Sequence, residues 1–216
     1  MQREALVQLI QEEVARRLAG RAGLSNGIPA AVSNRHIHLC EADWLVLFGG
    51  APLTKLRDLS QPGEFAANET VTLVGPKGVI EKVRILGPLR PATQVEISRT
   101  DAFRLGVNPP VRDSGNHESS CGLAVVGPAG AVTLSRGVIL ALRHIHMTPE
   151  DAARFGVQDR QMVSVRCGGE RSITLGSVLV RVSPRYRLEL HLDTDEANAA
   201  LLKDGDLVEL IREGAR

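Results

Sequence analysis

At 216 residues, with 43% hydrophobic and 24% charged residues, the chain has the composition of a globular protein with one large or two small domains, which excludes disorder throughout. Its 26 basic and 25 acidic residues leave a formal net charge of +1, and aromatics make up 3%. That is too little positive charge for a polyanion partner and too few rings to stack bases, so nucleic acid is disfavoured. No apolar run approaches the ~18 residues of a membrane span.

Residues 1–18, MQREALVQLIQEEVARRL, place Leu6, Leu9, Ile10, Val14 and Leu18 at helical spacing, with Arg3, Glu4, Gln11, Glu12, Arg16 and Arg17 on the other side. The segment lacks the continuous apolar core of a secretory signal. The Gly-, Ala-, Ser- and Pro-rich stretch AGRAGLSNGIPA then breaks the helix and reads as a linker over 21–28. An amphipathic helix over 1–20 on such a tether has two readings. It docks on the main body or a second subunit, or it is an address tag that pairs with another protein's helix.

Further on, the chain is short strands punctuated by Gly and Pro. VTLVGPKGVIEKVRILGP, 71–88, has two β-branched runs around a Gly-Pro-Lys-Gly turn, and LAVVGPAGAVTL, 123–134, repeats the scheme. Neither turn has the spacing of a phosphate-binding P-loop. The fold class expected is mainly β with short helices, built as small β-barrels rather than a doubly wound sheet. Cys40, Cys121 and Cys167 show no C-x-x-C spacing and read as small structural residues in a reducing compartment.

Comparing the chain with itself exposes a unit that occurs four times. RHIHLCEAD starts at Arg35, VEISRTDA at Val95, RHIHMTPED at Arg143 and ELHLDTDEA at Glu189. Each holds a polar residue (His38, Glu96, His146, His191), a small residue two further on (Cys40, Ser98, Thr148, Asp193), then an acid (Asp43, Asp101, Asp151, Glu196). A small polar residue followed three positions later by an acid resembles a capping box, so each unit is a strand turning into a short helix. Cys40 makes the first cap the weakest. DAFRLGV and DAARFGV nearly coincide, each with glycine at its end. Four units imply two related halves, divided as barrels over 29–115 and 116–216, with the joint in the polar segment 112–122.

Five of the six histidines fall in these units. Residues i and i+2 of a strand share a face, so His36 and His38 point together, as do His144 and His146. Adding Glu96 and His191 makes two sets of three ligands, the usual number for a catalytic zinc with an open position. Histidine and carboxylate also admit cobalt, nickel or manganese. The sixth histidine, His117, reads as solvated. Arg35, Arg143, Arg90 and Arg99 stand beside these units and suit an oxyanion, unless nearby acids pair with them. Arg90, set by a Gly-Pro turn, is the best candidate.

VSNRHIHL, LSQPGEFAANETVTLVGPKG, VRILGPLR, TQVEISRTDAFRLGV, PVRDSG, RHIHM and HLDTDEANAA together resemble the phosphate propanoyltransferase family of propanediol utilisation, the metal-dependent phosphotransacylases. The resemblance runs from about Ile28 to the C-terminus. It implies two β-barrel domains, two zinc ions per chain, and interconversion of acyl-CoA plus phosphate with acyl phosphate plus CoA. By matching motif, His36, His38 and Glu96 would hold one zinc and His144, His146 and His191 the other. Arg90 would bind phosphate as the catalytic arginine. Coenzyme A would lie along Val32, Ser33 and Asn34, near Lys77, Arg84 and Asn198. Only Cys40 departs, standing where serine is expected. The resemblance also favours the tag reading of 1–18, with shell or cargo partners in a bacterial microcompartment lumen, and the cytoplasm otherwise; a homo-oligomer contact stays open. The alternatives are a zinc-dependent thioester hydrolase and a non-catalytic zinc-containing binding module.

Overall fold

The computed structural model describes residues 27–211. The helix expected over 1–20 and nearly all of the 21–28 tether lie outside the described residues. The chain runs β1 (Gly27–Ser33), β2 (His36–His38), α1 (Glu41–Phe48), β3 (Lys55–Asp58), β4 (Phe65–Val74), β5 (Val79–Gly87), β6 (Gln94–Glu96), α2 (Arg99–Leu105) and β7 (Val111–Arg112). It continues through β8 (Cys121–Val126), β9 (Ala131–Ala141), β10 (His144–Met147), α3 (Pro149–Phe155), β11 (Met162–Cys167), β12 (Ile173–Val182), β13 (Glu189–Asp193), α4 (Thr194–Ala200) and β14 (Leu207–Ile211). No described helix is long and apolar enough to cross a membrane.

The strands close into two six-stranded barrels. One runs β4-β5-β2-β6-β9-β8, with β8 returning to β4 and with β3 and β7 at its margins. The other runs β11-β12-β10-β13-β1-β14. The two orders correspond strand for strand. In each, the H-x-H strand lies parallel to one neighbour and antiparallel to the strand carrying the third ligand. The two hairpins sit at the expected places, 71–88 as β4–β5 and 123–134 as β8–β9, with Gly75 donating to Gly78 O and Gly127 to Gly130 O.

The division of the chain between the barrels corrects the expected 115/116 boundary. β8 and β9 complete the first barrel, while β1 completes the second by pairing with β13 and β14. The segment 112–122 is a connection inside the first barrel. Its polar character has another cause: the Asp113 carboxylate is held by Arg160 and Arg181, both at 2.6 Å. The chain passes between barrels at Asn34–Arg35 and Leu142–Arg143, each crossing only two residues long.

Alternation along the strands explains what is inside. Ile37, Ile85, Val95 and Val138 fill the first barrel, and Ile145, Val180, Leu190 and Val208 the second. Their neighbours, including every histidine of the H-x-H pairs, therefore lie on the outer faces. Short helices follow β2, β6, β10 and β13. Ser98, Thr148 and Asp193 form reciprocal capping boxes with Asp101, Asp151 and Glu196. Cys40 makes no side-chain cap; instead its N–H donates to Thr93 Oγ1 at 3.0 Å. Gly106 and Gly156 end α2 and α3 at φ of 75° and 67°, the left-handed region that needs no Cβ. Leu201 ends α4 at φ 55° with a Cβ.

Candidate active site

Each H-x-H strand follows directly on a crossing, and its two side chains emerge together on the outer face. His36 stands opposite Glu96 across the antiparallel pair, and His144 stands opposite His191 in the same relation. The ligand atoms of His36, His38 and Glu96 all lie within 4.8 Å of one another, as do those of His144, His146 and His191. In the second set the ring centroids make a near-equilateral triangle, with sides of 4.8, 5.0 and 4.8 Å. Glu96, His144 and His191 line one cavity in the seam between barrels, together with Ser33, Asn34 and Arg35.

Local hydrogen bonds orient the rings. His36 Nδ1 donates to Asn34 O and His144 Nδ1 to Leu142 O, both at 2.8 Å, which turns each Nε2 away from the backbone; that of His36 faces Glu96 Oε2 at 3.5 Å. The second histidine of each pair is different: His38 Nδ1 and His146 Nδ1 are buried with no hydrogen-bond partner. An orphaned buried polar atom costs about 1–3 kcal/mol, and a bound cation would remove that cost. Burial lowers His38 to about 3, helped by the positive charges of His36 and Arg90. It lowers His144 to about 4, with His191 and Arg181 adding to the effect, and His146 falls further for the same reason. These imidazoles are neutral at neutral pH, the form that binds metal. Burial would raise the Glu96 carboxyl, but His36 beside it outweighs that and holds it well below the usual range. His36 moves the opposite way: burial lowers it, and Glu96 lifts it above its ordinary value. Three-ligand sets of neutral imidazole and carboxylate fit zinc.

The arginines separate. Arg35 Nε bonds Asp101 at 2.9 Å and Arg143 Nε pairs with Glu196 at 3.3 Å, so each arginine of an Arg-His-x-His run clamps the capping acid of the helix after the third ligand. Arg99 donates to Asn108 and lies over the Phe103 ring. Arg90 is held between Glu64 (3.0 Å) and Ser114 (3.3 Å), and Ser114 in turn donates to Glu96 at 3.2 Å. It is the arginine of the four that reaches the ligand network by hydrogen bonds.

Of the residues assigned to coenzyme A, Ser33 and Asn34 line the seam cavity and Arg84 stands in register beside His36. Val32 is on β1 with its N–H on Asp204. Lys77, in the β4–β5 turn, packs its stem at Gly106, and Asn198 is exposed on α4; neither lines the cavity. Sequence reasoning missed Gln94 and Glu189. Gln94 Nε2 donates to Glu96 at 2.6 Å, and Glu189 accepts from His191 at 2.8 Å. Each stands two residues before its ligand, the H-x-H spacing again, which is the signal that was available. His117 is not merely solvated, because its Nε2 donates to Gln94 Oε1 at 3.0 Å.

A family model described as phosphate propanoyltransferase matches residues 29–203. The chain belongs to the phosphate propanoyltransferase family. A protein of that name from Thermotoga maritima is 56% identical over 187 residues, covering 86% of this chain and 89% of the relative. One from Priestia megaterium is 54% identical over 93% of both chains. Another from Rhodopseudomonas palustris is 45% identical over 98% and 99% of the two. Membership makes the protein an acyltransferase of the phosphotransacylase kind.

Proposed function

We propose that the protein interconverts a short-chain acyl-CoA, propanoyl-CoA or acetyl-CoA, plus phosphate with acyl phosphate plus CoA, at a two-zinc centre in the seam. The observation that carries this reading is that two three-ligand sets meet one cavity whose wall also includes Ser33 and Asn34. His36, His38 and Glu96 would hold one zinc, and His144, His146 and His191 the other. Bound zinc would supply Lewis-acid neutralisation of the charge on phosphate and on the carbonyl oxygen.

The chain's own residues do the rest. Arg90 takes the phosphate on its guanidinium fork, exchanging the Glu64 carboxylate for phosphate oxygens. Coenzyme A lies along Val32, Ser33 and Asn34 with Lys77, Arg84 and Asn198 near it. A phosphate oxygen held against the thioester carbonyl attacks it directly; the C–S bond breaks and CoA leaves as thiolate. No serine or cysteine of the described site is placed as a nucleophile, so no acyl-enzyme is required. Holding two anions in attack geometry supplies up to about 7–11 kcal/mol in ideal systems.

Incubating the protein with propanoyl-CoA, with and without phosphate, tests the reading. Thiol release should require phosphate, and hydroxylamine should trap the acyl phosphate as a hydroxamate. Thiol release at the same rate without phosphate would make the protein a hydrolase and overturn the proposal. The apolar stripe of residues 1–18 further supports an address tag for a microcompartment lumen. Fusing 1–18 to a fluorescent protein should carry it into a co-expressed shell, and a diffuse fusion would refute the tag.

A further inference from the structure

We propose that Glu189 is a positioning residue that orients His191 for the second metal and lends that set the carboxylate charge it otherwise lacks. The inference rests on the two-metal reading above. The first set contains one carboxylate, Glu96, whereas the second is three imidazoles. Glu189 makes up the difference from one step outside. Its Oε2 accepts from His191 Nε2 at 2.8 Å, which leaves Nδ1 as the free ligand atom of that ring. A carboxylate behind a ligating imidazole fixes its tautomer and raises its basicity.

Three observations separate this from an incidental ion pair. First, Glu189 is held from the other barrel: Ser60 Oγ donates to it at 2.5 Å and Gln61 Nε2 at 3.1 Å. Second, Gln61 is itself buried, at 5% exposure, and fixed by the Arg187 backbone, donating to Arg187 O at 3.0 Å and accepting from Arg187 N at 3.2 Å. Third, the equivalent position in the first barrel is Gln94, also two residues before its ligand and also bonded to it. The exchange of amide for acid follows the chemistry of the ligand. A carboxylate ligand needs a donor behind it, and Gln94 provides one. An imidazole ligand needs an acceptor, and Glu189 provides that.

The test uses the full chain loaded with zinc or with cobalt, titrated with a competing chelator that resolves the two sites. Glu189→Ala should weaken one site by about 10–100-fold, the usual effect of removing an outer-shell partner, and leave the other unchanged. Glu189→Gln keeps an acceptor oxygen without the charge, so it should fold normally and recover part of the loss. The cobalt absorption of one site alone should change. In the His191→Ala background, Glu189→Ala should have no further effect on metal affinity. Unchanged affinity at both sites would overturn the proposal. So would a parallel loss at both sites with a lowered melting point of the metal-free protein, which would make Glu189 a structural residue only. A wild-type chain that takes up no metal would overturn the two-metal reading as well.

Discussion

Replacing Asp101 by Ala removes two hydrogen bonds at once. Asp101 is 3% exposed. Its Oδ1 accepts from Arg35 Nε at 2.9 Å, and its Oδ2 accepts the Ser98 N–H at a long 3.4 Å. The backbone bond from Asp101 N to Ser98 Oγ survives the change. The lost half of the capping box is worth roughly 0.5 kcal/mol. The bond to Arg35 is charge-assisted, but the arginine side chain is 36% exposed and can rehydrate, so about 1–2 kcal/mol is reasonable. The sum, about 1.5–2.5 kcal/mol, should lower the melting temperature by roughly 3–10 °C for a chain of this size. Glu196→Ala, with its longer arginine contact of 3.3 Å, should cost somewhat less. Asp151→Ala loses two bonds from Thr148, at 3.2 and 2.8 Å, and an i,i+3 arginine partner on the surface; the donors are part-exposed and can rehydrate, so it should cost least. Urea unfolding of the three variants, with and without metal, measures the ranking. If Asp151→Ala matches or exceeds Asp101→Ala, or if Asp101→Ala costs less than about 0.5 kcal/mol, the clamp by Arg35 contributes nothing.

Arg90→Ala should reduce kcat/KM for phosphate by about 30–150-fold, the lower part of the 2–5 kcal/mol range because the side chain is 30% exposed, while metal content stays at the wild-type value; unchanged phosphate kinetics would remove Arg90 from the site. Leu201→Gly should stabilise the protein by about 0.5–1.5 kcal/mol, since an exposed leucine at φ 55° pays the left-handed penalty that Gly106 and Gly156 avoid; a lower urea midpoint would show that the side chain makes a compensating contact. Metal-free protein should lose stability as pH falls from about 6.5 towards 4. Burial holds His38 at about 3 and His144 at about 4, so over that window the unfolded chain binds more protons than the folded one. Each such histidine steepens the slope by up to about 1.4 kcal/mol per pH unit. His36, raised by Glu96, works in the opposite sense, so a flat melting temperature across the window would contradict the net direction.

Much of the site was legible because it is local. The H-x-H spacing and the small-residue-plus-acid caps fall within a few residues, strand alternation fixes which side chains share a face, and the repeated unit marks the third ligands although they lie far along the chain. The caps at Ser98, Thr148 and Asp193 form as their residue types imply, and Cys40 fails as a cap for the same reason. What was hidden depends on pairing between distant segments. Nothing local to Gly27–Ser33 says that it will lie beside β13 and β14, so the barrel boundary was misplaced. The segment 112–122 looked like a linker because composition does not reveal that Asp113 and Ser114 find partners. Arg35 and Arg143 stood where an anion could use them, and only the fold shows that acids already do.

The two places where the chain changes barrels have a mechanical consequence. Asn34–Arg35 and Leu142–Arg143 are the natural hinges of a two-body molecule, yet each leads within a residue or two into a ligand histidine whose ring is tied to the hinge by its Nδ1. Any rotation of one barrel against the other would have to twist both pivots and, with them, His36 and His144. Each ligand set is built on one barrel alone, so metal would brace the strands beyond each pivot without tying one barrel to the other. A turn at the pivots would change how the two sets face each other across the seam, while the strand pairing that assembles each set stays within its own barrel.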